Sequence, residues 1–400
     1  MSPTKVIIVG CGIAGPVLAL LLKQKGYEPV IYERGKRDAG GGLSLMLQLN
    51  GLRVLSKIPG LVEKLSGMPI DKSTMFSIVP SDERLLVELE FPEQVRQHYG
   101  VGLMGVQRSK FLALLVDTVI EHGIELHFER QVVDVETTDE YARVKLNTGE
   151  TDTASFVVGC DGLHSNVRTA LFGMQQATFT GLTQTGGITE GVFSNEKPTM
   201  FNFYGLNMHC IAYAISKTQY SWAITQRESE TKETWRAMDE AAQHSVRNGP
   251  FSQLPSGVGD LVLKSAQITK YGLYDRPKLE SWHRGRVILI GDAAHATSPH
   301  LGQGANQAFE DADYLVQLLV KHRPNASQES TTAEFSAWFK EFEEARIERT
   351  AMLVRGARET GETRVVDGLE EARKRNDAVC AQWAEGGSAL RRMQDLYNSK

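Results

Sequence analysis

The chain of 400 residues predicts an α/β fold, in which a Rossmann-like nucleotide-binding domain is interleaved with a mainly antiparallel β-sheet domain and followed by C-terminal helices. Three observations carry that expectation. Residues 5–34 run from a β-branched stretch through a glycine-rich turn and an apolar helix into a second β-branched stretch, the βαβ rhythm of a parallel sheet. Residues 199–225 switch to period two in three runs parted by short polar turns, which reads as an antiparallel meander. Beyond residue 330, Phe335, Trp338, Phe339 and Phe342 recur at helical spacing.

In the first unit, Val6-Ile7-Ile8-Val9 is a buried strand and residues 14–25 are the helix packed on it. Gly10-Cys11-Gly12-Ile13-Ala14-Gly15 joins them. Gly10 permits the tight turn, Gly12 lets the backbone approach a pyrophosphate, and Gly15 lets helix and strand close up, so that phosphates meet the helix N-terminus. The second strand, Pro29-Val30-Ile31-Tyr32, ends in Glu33, eighteen residues after Gly15, where an acid accepts hydrogen bonds from an adenosine ribose. A glycine-rich turn alone occurs in any α/β domain, and Glu33 alone is a solvated strand-end acid; together they predict a dinucleotide site. The uncharged run of residues 6–22 is also a candidate targeting or membrane segment, but Lys23-Gln24-Lys25-Gly26 follows it in place of a cleavage site, and Gly10, Gly12, Gly15 and Pro16 interrupt it.

Next come Phe156-Val157-Val158-Gly159-Cys160-Asp161-Gly162, a strand ending at an acid and a glycine; by itself Asp161 is a turn residue and Arg168 a helix-surface charge. In the meander, alternation puts His209, Ile211, Tyr213 and Ile215 on one face, while Tyr220, Trp222 and Ile224 share one. Tyr204, His209, Tyr213 and Trp222 are candidate substrate contacts, with simple core packing as the plainer reading of the aromatics. Val287-Ile288-Leu289-Ile290 is another buried strand, running into Gly291-Asp292-Ala293-Ala294-His295; Asp292 then lies at a strand's carboxyl end, where an acid bonds a polyol. Pro299-His300-Leu301-Gly302-Gln303-Gly304-Ala305-Asn306 opens a further amphipathic helix.

A net charge of −5 argues against a grip on nucleic-acid backbones. Cys11, Cys160, Cys210 and Cys380 are scattered with no CxxC pair, which fits a reducing, cytoplasmic setting without disulfides, and no histidine spacing suggests a metal. Charged residues interrupt the apolar stretches of residues 330–400, so no membrane anchor is expected there, and that region reads as core packing. The expected division is 1–70, 101–175 and 276–325 for the nucleotide domain, 71–100 and 176–275 for the substrate domain, and 330–400 for the helical region.

The order of these motifs resembles the single-component FAD-dependent aromatic monooxygenases, the p-hydroxybenzoate hydroxylase-like and salicylate hydroxylase-like group, over residues 5–320. The resemblance implies that Gly10, Gly12, Ile13, Ala14, Gly15 and Glu33 hold the ADP half of FAD, with Arg34 beside them. Gly291 and Asp292 would meet the ribityl chain and pyrophosphate, and Asp161 and Gly162 would serve FAD and nicotinamide binding. Arg108 looks like the family's helix-opening arginine, and Val132 joins the cofactor set. Gly40, Gly41, Gly42 and Leu43 resemble a mobile segment beside the flavin ring, with a simple flexible loop as the alternative. Pro299 would sit at the reactive edge, and the N–H groups of Gly302, Gly304, Ala305 and Asn306 would favour negative charge on the ring.

No second GxGxxG exists, so NADPH or NADH is expected as a transient donor. The implied reaction passes through a flavin C4a-hydroperoxide, using O2 to hydroxylate, epoxidise or otherwise oxygenate an aromatic or polycyclic small molecule, with secondary metabolism as one setting. No acid–base residue is assigned, and His295 reads as a hydrogen-bonded packing residue. The alternatives are a reductase or cyclase on the same fold and a non-enzymatic nucleotide-binding module. Donor preference, site of oxygenation and oligomeric state are left open.

Overall fold

The computed structural model describes residues 4–37, 41–191, 197–229, 238–384, 387–389 and 391; Gly40 of the predicted mobile segment lies outside them. The opening unit folds as a strand, Lys5–Val9, a helix, Ala14–Gln24, and a strand, Glu28–Tyr32. These belong to a six-stranded sheet in the order His283–Arg284, Val287–Leu289, Phe156–Gly159, Lys5–Val9, Glu28–Tyr32 and Glu125–His127. Apart from the short first strand the pairings are parallel. Their carboxyl ends therefore share one edge, which is how Gly10, Glu33, Asp161 and Asp292 come together from positions far apart in the chain.

The β-branched runs are buried because helices cover the sheet: Val6, Ile7, Ile8, Val157, Val158 and Ile288 have no exposed surface. Phe335 and Phe339, of the long helix Thr332–Arg364, pack on Phe156 with ring centroids 5.2 and 6.1 Å away, one tilted and one edge-on. A capping box between Thr331 and Glu334 starts that helix directly after the polar stretch of residues 324–330.

Over the parallel sheet lies one of seven strands, in the order Ser265–Asp275, Thr178–Glu190, Gln219–Arg227, Met208–Ala214, Thr199–Tyr204, Lys72–Ser77 and Arg84–Leu89. Only Lys72–Ser77 with Thr199–Tyr204 is a parallel pair. The three predicted meander strands are present. Thr178–Glu190 was not read from sequence because Gly181, Gly186 and Gly187 depress its strand propensity. Two of those glycines are needed for close approach: a Cβ on Gly186 would lie 2.7 Å from the Trp222 carbonyl oxygen, and one on Gly187 2.7 Å from Ser265 Oγ.

Register decides which side chains face the parallel sheet. Tyr204 pairs with His209 and Met200 with Tyr213, while His209 pairs with Thr225, Tyr213 with Ser221 and Ala212 with Trp222. Paired residues share a face. Trp222 therefore points the opposite way from His209 and Tyr213, into a cluster with Phe203, Cys210 and Ile224.

Candidate active site

A cavity of about 2110 Å3 runs between the two sheets. At its floor are Gly10, Gly12, Ile13, Ala14, Glu33 and Arg34. A Cβ on Gly15 would lie 2.1 Å from the Gly10 carbonyl oxygen, and one on Gly10 2.6 Å from that of Cys160, whereas nothing lies within 4 Å of one on Gly12. Gly15 is thus a packing glycine set back from the cavity, and Gly12 faces open space. The helix Ala14–Gln24 has neither a side-chain cap nor an acid in its first turn, leaving its leading N–H groups for an external anion. Glu33 accepts from Cys11 N–H at 2.7 Å and from Gly35 N–H at 2.6 Å, one bond per oxygen, so each keeps capacity for a hydroxyl donor. Bare helix N-terminus, open glycine and strand-end acid form a set of donors and acceptors that fits the ADP half of FAD.

Arg108 opens the helix Arg108–Glu121 and donates to the Gly41 carbonyl. Gly42 has φ of +90° and passes so near the arginine stem that a Cβ there would lie 2.7 Å from Cδ. Beyond Leu43 the chain enters a strand, Ser44–Leu47, so this part of the predicted loop is tied to a small sheet. Burial lowers the Arg108 pKa, with Asp292 opposing. Burial raises that of Asp292, opposed by His295 and Arg108. Asp292 is enclosed by protein yet open on its cavity side.

Val132, Asp161 and Gly162 also border the cavity. Both Asp161 oxygens are engaged at the start of the helix Asn166–Phe172, by Ser165 Oγ at 2.5 Å and by the N–H groups of Asn166 and Val167 at 2.7 and 3.2 Å. Burial raises its pKa, and these bonds pull against it. Arg168 is not the surface charge expected: it is 2% exposed, and its Nη1 donates to the carbonyls of Ala293 and Ala294 at 3.2 and 3.1 Å. It fastens the Asp161 turn to the Asp292 turn.

Pro299, Gly302, Gly304 and Ala305 line the cavity, but Gly291 and Asn306 do not. Gly291 donates its N–H to Asp311 Oδ2 at 2.9 Å. Asn306 is fully buried, accepting from Gln48 N–H at 3.0 Å and donating to the carbonyls of Gly302 and Met46 at 2.7 and 3.0 Å. Its side chain sets the turn. The Gly302 N–H is taken by the Pro299 carbonyl at 2.9 Å; the N–H groups of Gly304, Ala305 and Asn306, in the first turn of the helix Gly304–His322, have no intrahelical partner, and of these residues Gly304 and Ala305 border the cavity.

On the roof, Tyr204, His209 and Tyr213 face the cavity. Trp222 touches its wall, but the indole is 1% exposed and donates Nε1–H to Ser265 Oγ at 2.6 Å, within the far core. Contrary to the expectation from sequence, its ring is turned away from the face that Tyr204, His209 and Tyr213 share. Tyr213 O–H meets Ser44 Oγ at 2.7 Å, and burial pushes its pKa up to about 12. Burial, then Arg364, His300 and Arg375, hold His209 well below the usual imidazole value. It is neutral, and its Nε2 has no partner among the described residues.

The C-terminal helices were expected only to pack. Phe335, Phe339 and Phe342 do so, but further on Gly356, Thr360 and Arg364 line the cavity, as do Arg375 and Val379 of the helix Leu369–Trp383. The signal was in the sequence: after Phe342 the aromatic stripe ends, and Gly356, Thr360 and Arg364 follow four residues apart.

A parallel sheet with three glycine-and-acid turns at one edge, roofed by an antiparallel sheet, defines a flavin-nucleotide-binding protein. The chain belongs to the FAD binding domain family, whose model matches residues 3–336. It is 28% identical to the 3-amino-4-hydroxybenzoate 2-monooxygenase of Streptomyces cremeus over 370 residues, covering 90% of this chain and 87% of that one. It is 23% identical to the 6-hydroxynicotinate 3-monooxygenase of Bordetella bronchiseptica, over 88% and 90% of the two chains. Among solved structures, HpxO of Klebsiella pneumoniae complexed with FAD and uric acid superposes with a TM-score of 0.81 at 20% identity, over 96% of this chain and 94% of that one.

Proposed function

We propose that this FAD-dependent monooxygenase takes electrons from NADPH or NADH and places one oxygen atom of O2 on an aromatic or polycyclic small molecule held against Tyr204, His209 and Tyr213. The observation that carries the reading is that the nucleotide cradle and the polar, aromatic roof open into a single cavity. Typical small-molecule pockets span about 300–1,000 Å3, so the volume suits a dinucleotide and a substrate together. The rings named for the two monooxygenase relatives, an aminohydroxybenzoate and a hydroxynicotinate, are of the same aromatic class.

FAD, when bound, supplies hydride acceptance and oxygen activation. The rest falls to the chain. The N–H groups at the start of Ala14–Gln24 and the open face of Gly12 receive the pyrophosphate, Glu33 takes the adenosine ribose hydroxyls, and Asp292 takes the ribityl chain, facing Arg108. Gly304 and Ala305 aim N–H groups and a helix dipole at the ring, favouring negative charge there. Leu43, Pro299 and the roof exclude water from the reacting atoms. Neutral His209 borders the substrate chamber beside Tyr204, with its Nε2 enclosed. A cytoplasmic location accompanies this reading.

The test is to follow NADPH and NADH oxidation with phenols, indoles and polyketides under oxygen, analysing products by mass. Donor consumption with a product heavier by one oxygen atom is expected. FAD-loaded protein that turns over donor or substrate but never adds oxygen would instead be a reductase or cyclase.

A further inference from the structure

Beside the turn that precedes the helix Gly304–His322 lies a group of buried carboxamides. Gln48 precedes the helix Leu49–Leu55 and Asn50 stands in it, while Gln303, Asn306 and Gln307 lie at the start of Gly304–His322. All are 9% exposed or less, and Gln48 and Gln303 border the cavity. Arg346 Nη2 donates to Gln307 Oε1 at 2.8 Å, Gln307 Nε2 to Gln303 Oε1 at 3.0 Å, and Gln303 Nε2 to Gln48 Oε1 at 2.7 Å. Gln48 Nε2 then donates to the carbonyls of Leu301 and Gly302 at 2.9 and 3.2 Å.

The two ends fix the sense of this row. A guanidinium only donates and a carbonyl oxygen only accepts, so every amide between them turns its oxygen toward Arg346 and its N–H toward the turn. The side-chain dipoles therefore line up head to tail, and hydrogen bonds in such a row strengthen one another. Arg346 is itself paired with Glu310 and Asp311, so the row carries a direction rather than a net charge. Its positive end meets the turn where the helix Gly304–His322 also begins with its positive end. The fold accepts constraints to build it. Gly302, at φ of +62°, leaves space in which a Cβ would lie 2.9 Å from Gln48 Nε2. Asn50 donates to Gln303 Oε1 and Glu310 Oε1 at 3.0 and 2.7 Å, yet its own Oδ1 is enclosed without a partner among the described residues. Asn50 is thus a side branch, off the line from Arg346 to the turn.

We propose that Gln307, Gln303 and Gln48 act as one row that holds this turn and adds its positive end to the helix dipole there, making Gln48 and Gln303 positioning residues that raise the reduction potential of the flavin. This rests on the ring lying at that turn, as the proposed function has it, and needs no oxygen transfer. Hydride from NADPH or NADH brings two electrons and one proton, leaving the donor oxidised and the ring one unit more negative, and a positive end beside the ring favours that charge.

The test measures the midpoint potential of FAD-loaded full-length protein by reductive titration against a reference dye. Gln48→Met and Gln303→Met keep the side-chain length and remove the amide. Each should lower the potential by about 30 mV, a tenfold shift of the two-electron equilibrium. The double variant should fall no further than the larger single shift, because a row is broken at either link. Asn50→Ala should lower the unfolding temperature while leaving the equilibrium within about twofold of the wild type. FAD content and unfolding temperature report folding, and since the two glutamines precede different helices, either variant alone carries the test. Unchanged potentials in the glutamine variants overturn the proposal. So do shifts that add, or a shift in Asn50→Ala as large as theirs, which would mark a general loosening. The potential is read without substrate or oxygen, so the expected shifts in a protein that never oxygenates would overturn the monooxygenase reading and leave the row standing. Unshifted potentials in a protein that does oxygenate would overturn the row alone.

Discussion

Gly12 and Gly15 stand three residues apart and do opposite work. A methyl on Gly15 meets the Gly10 carbonyl oxygen at 2.1 Å, while one on Gly12 meets nothing within 4 Å. Gly15→Ala should therefore lower the unfolding temperature of the FAD-free protein. Gly12→Ala should leave that temperature unchanged and weaken FAD binding about tenfold, since it obstructs a charge-assisted contact; titration of the apoproteins by flavin fluorescence separates the two. His209 and Trp222 make a second contrasting pair. His209→Ala should reduce kcat/KM for the substrate about tenfold or more, whereas Trp222→Phe should lower thermal stability, by losing the bond to Ser265, and leave KM near that of the wild type. Steady-state kinetics and melting curves on both variants check this, and the reverse pattern would contradict the register argument. These residue types were legible in the sequence. The direction of Trp222 was not, because period two shows which residues share a face but not which face meets the cavity.

Among the elements, the pairing of Gly304–His322 with Thr332–Arg364 holds the Asp292 turn in place. Asp311 accepts from Gly291 N–H at 2.9 Å, His295 Nε2 at 2.6 Å and Arg346 Nε at 2.8 Å. Burial alone would raise the Asp311 carboxyl, but His295 and Arg346 prevail and hold it well below the usual carboxylate range. Its folded pKa is thus below its unfolded value of about 3.9, so its contribution to stability is complete at neutral pH and is lost as acidification passes below about pH 4. Asp311→Asn should cost about 3–5 kcal/mol at pH 7, as breaking a buried pair does, and the gap to wild type should close below pH 4 in denaturant titrations. A gap that widens in acid would contradict the assignment. The sequence showed the strands that end in glycine and acid, since each is a short continuous apolar run. It hid Thr178–Glu190, whose Gly186 and Gly187 make room for the backbone and side chains of neighbouring strands, and it hid the Asp311 clamp, whose partners converge only through tertiary packing.

At the scale of the molecule, the cavity floor comes from the ends of strands near residues 9, 32, 159 and 289, and its roof from residues 199–227 with the C-terminal helices closing one side. The positions of Gly10, Gly12, Glu33, Asp161 and Asp292 on the floor were legible because short apolar strands end there in a glycine or an acid. The C-terminal wall left only a change of residue type along the helix as its signal, because polar side chains on a helix read as solvated until a cavity is found beside them. What unites floor and roof is a single reaction, and isotopic oxygen tests it most directly. With purified FAD-loaded protein, NADPH or NADH and an accepted aromatic substrate under 18O2, the account predicts a product bearing one 18O atom per molecule, absent when only the water is labelled. Product oxygen drawn from water, or donor oxidation that yields peroxide alone with every substrate tried, would contradict it.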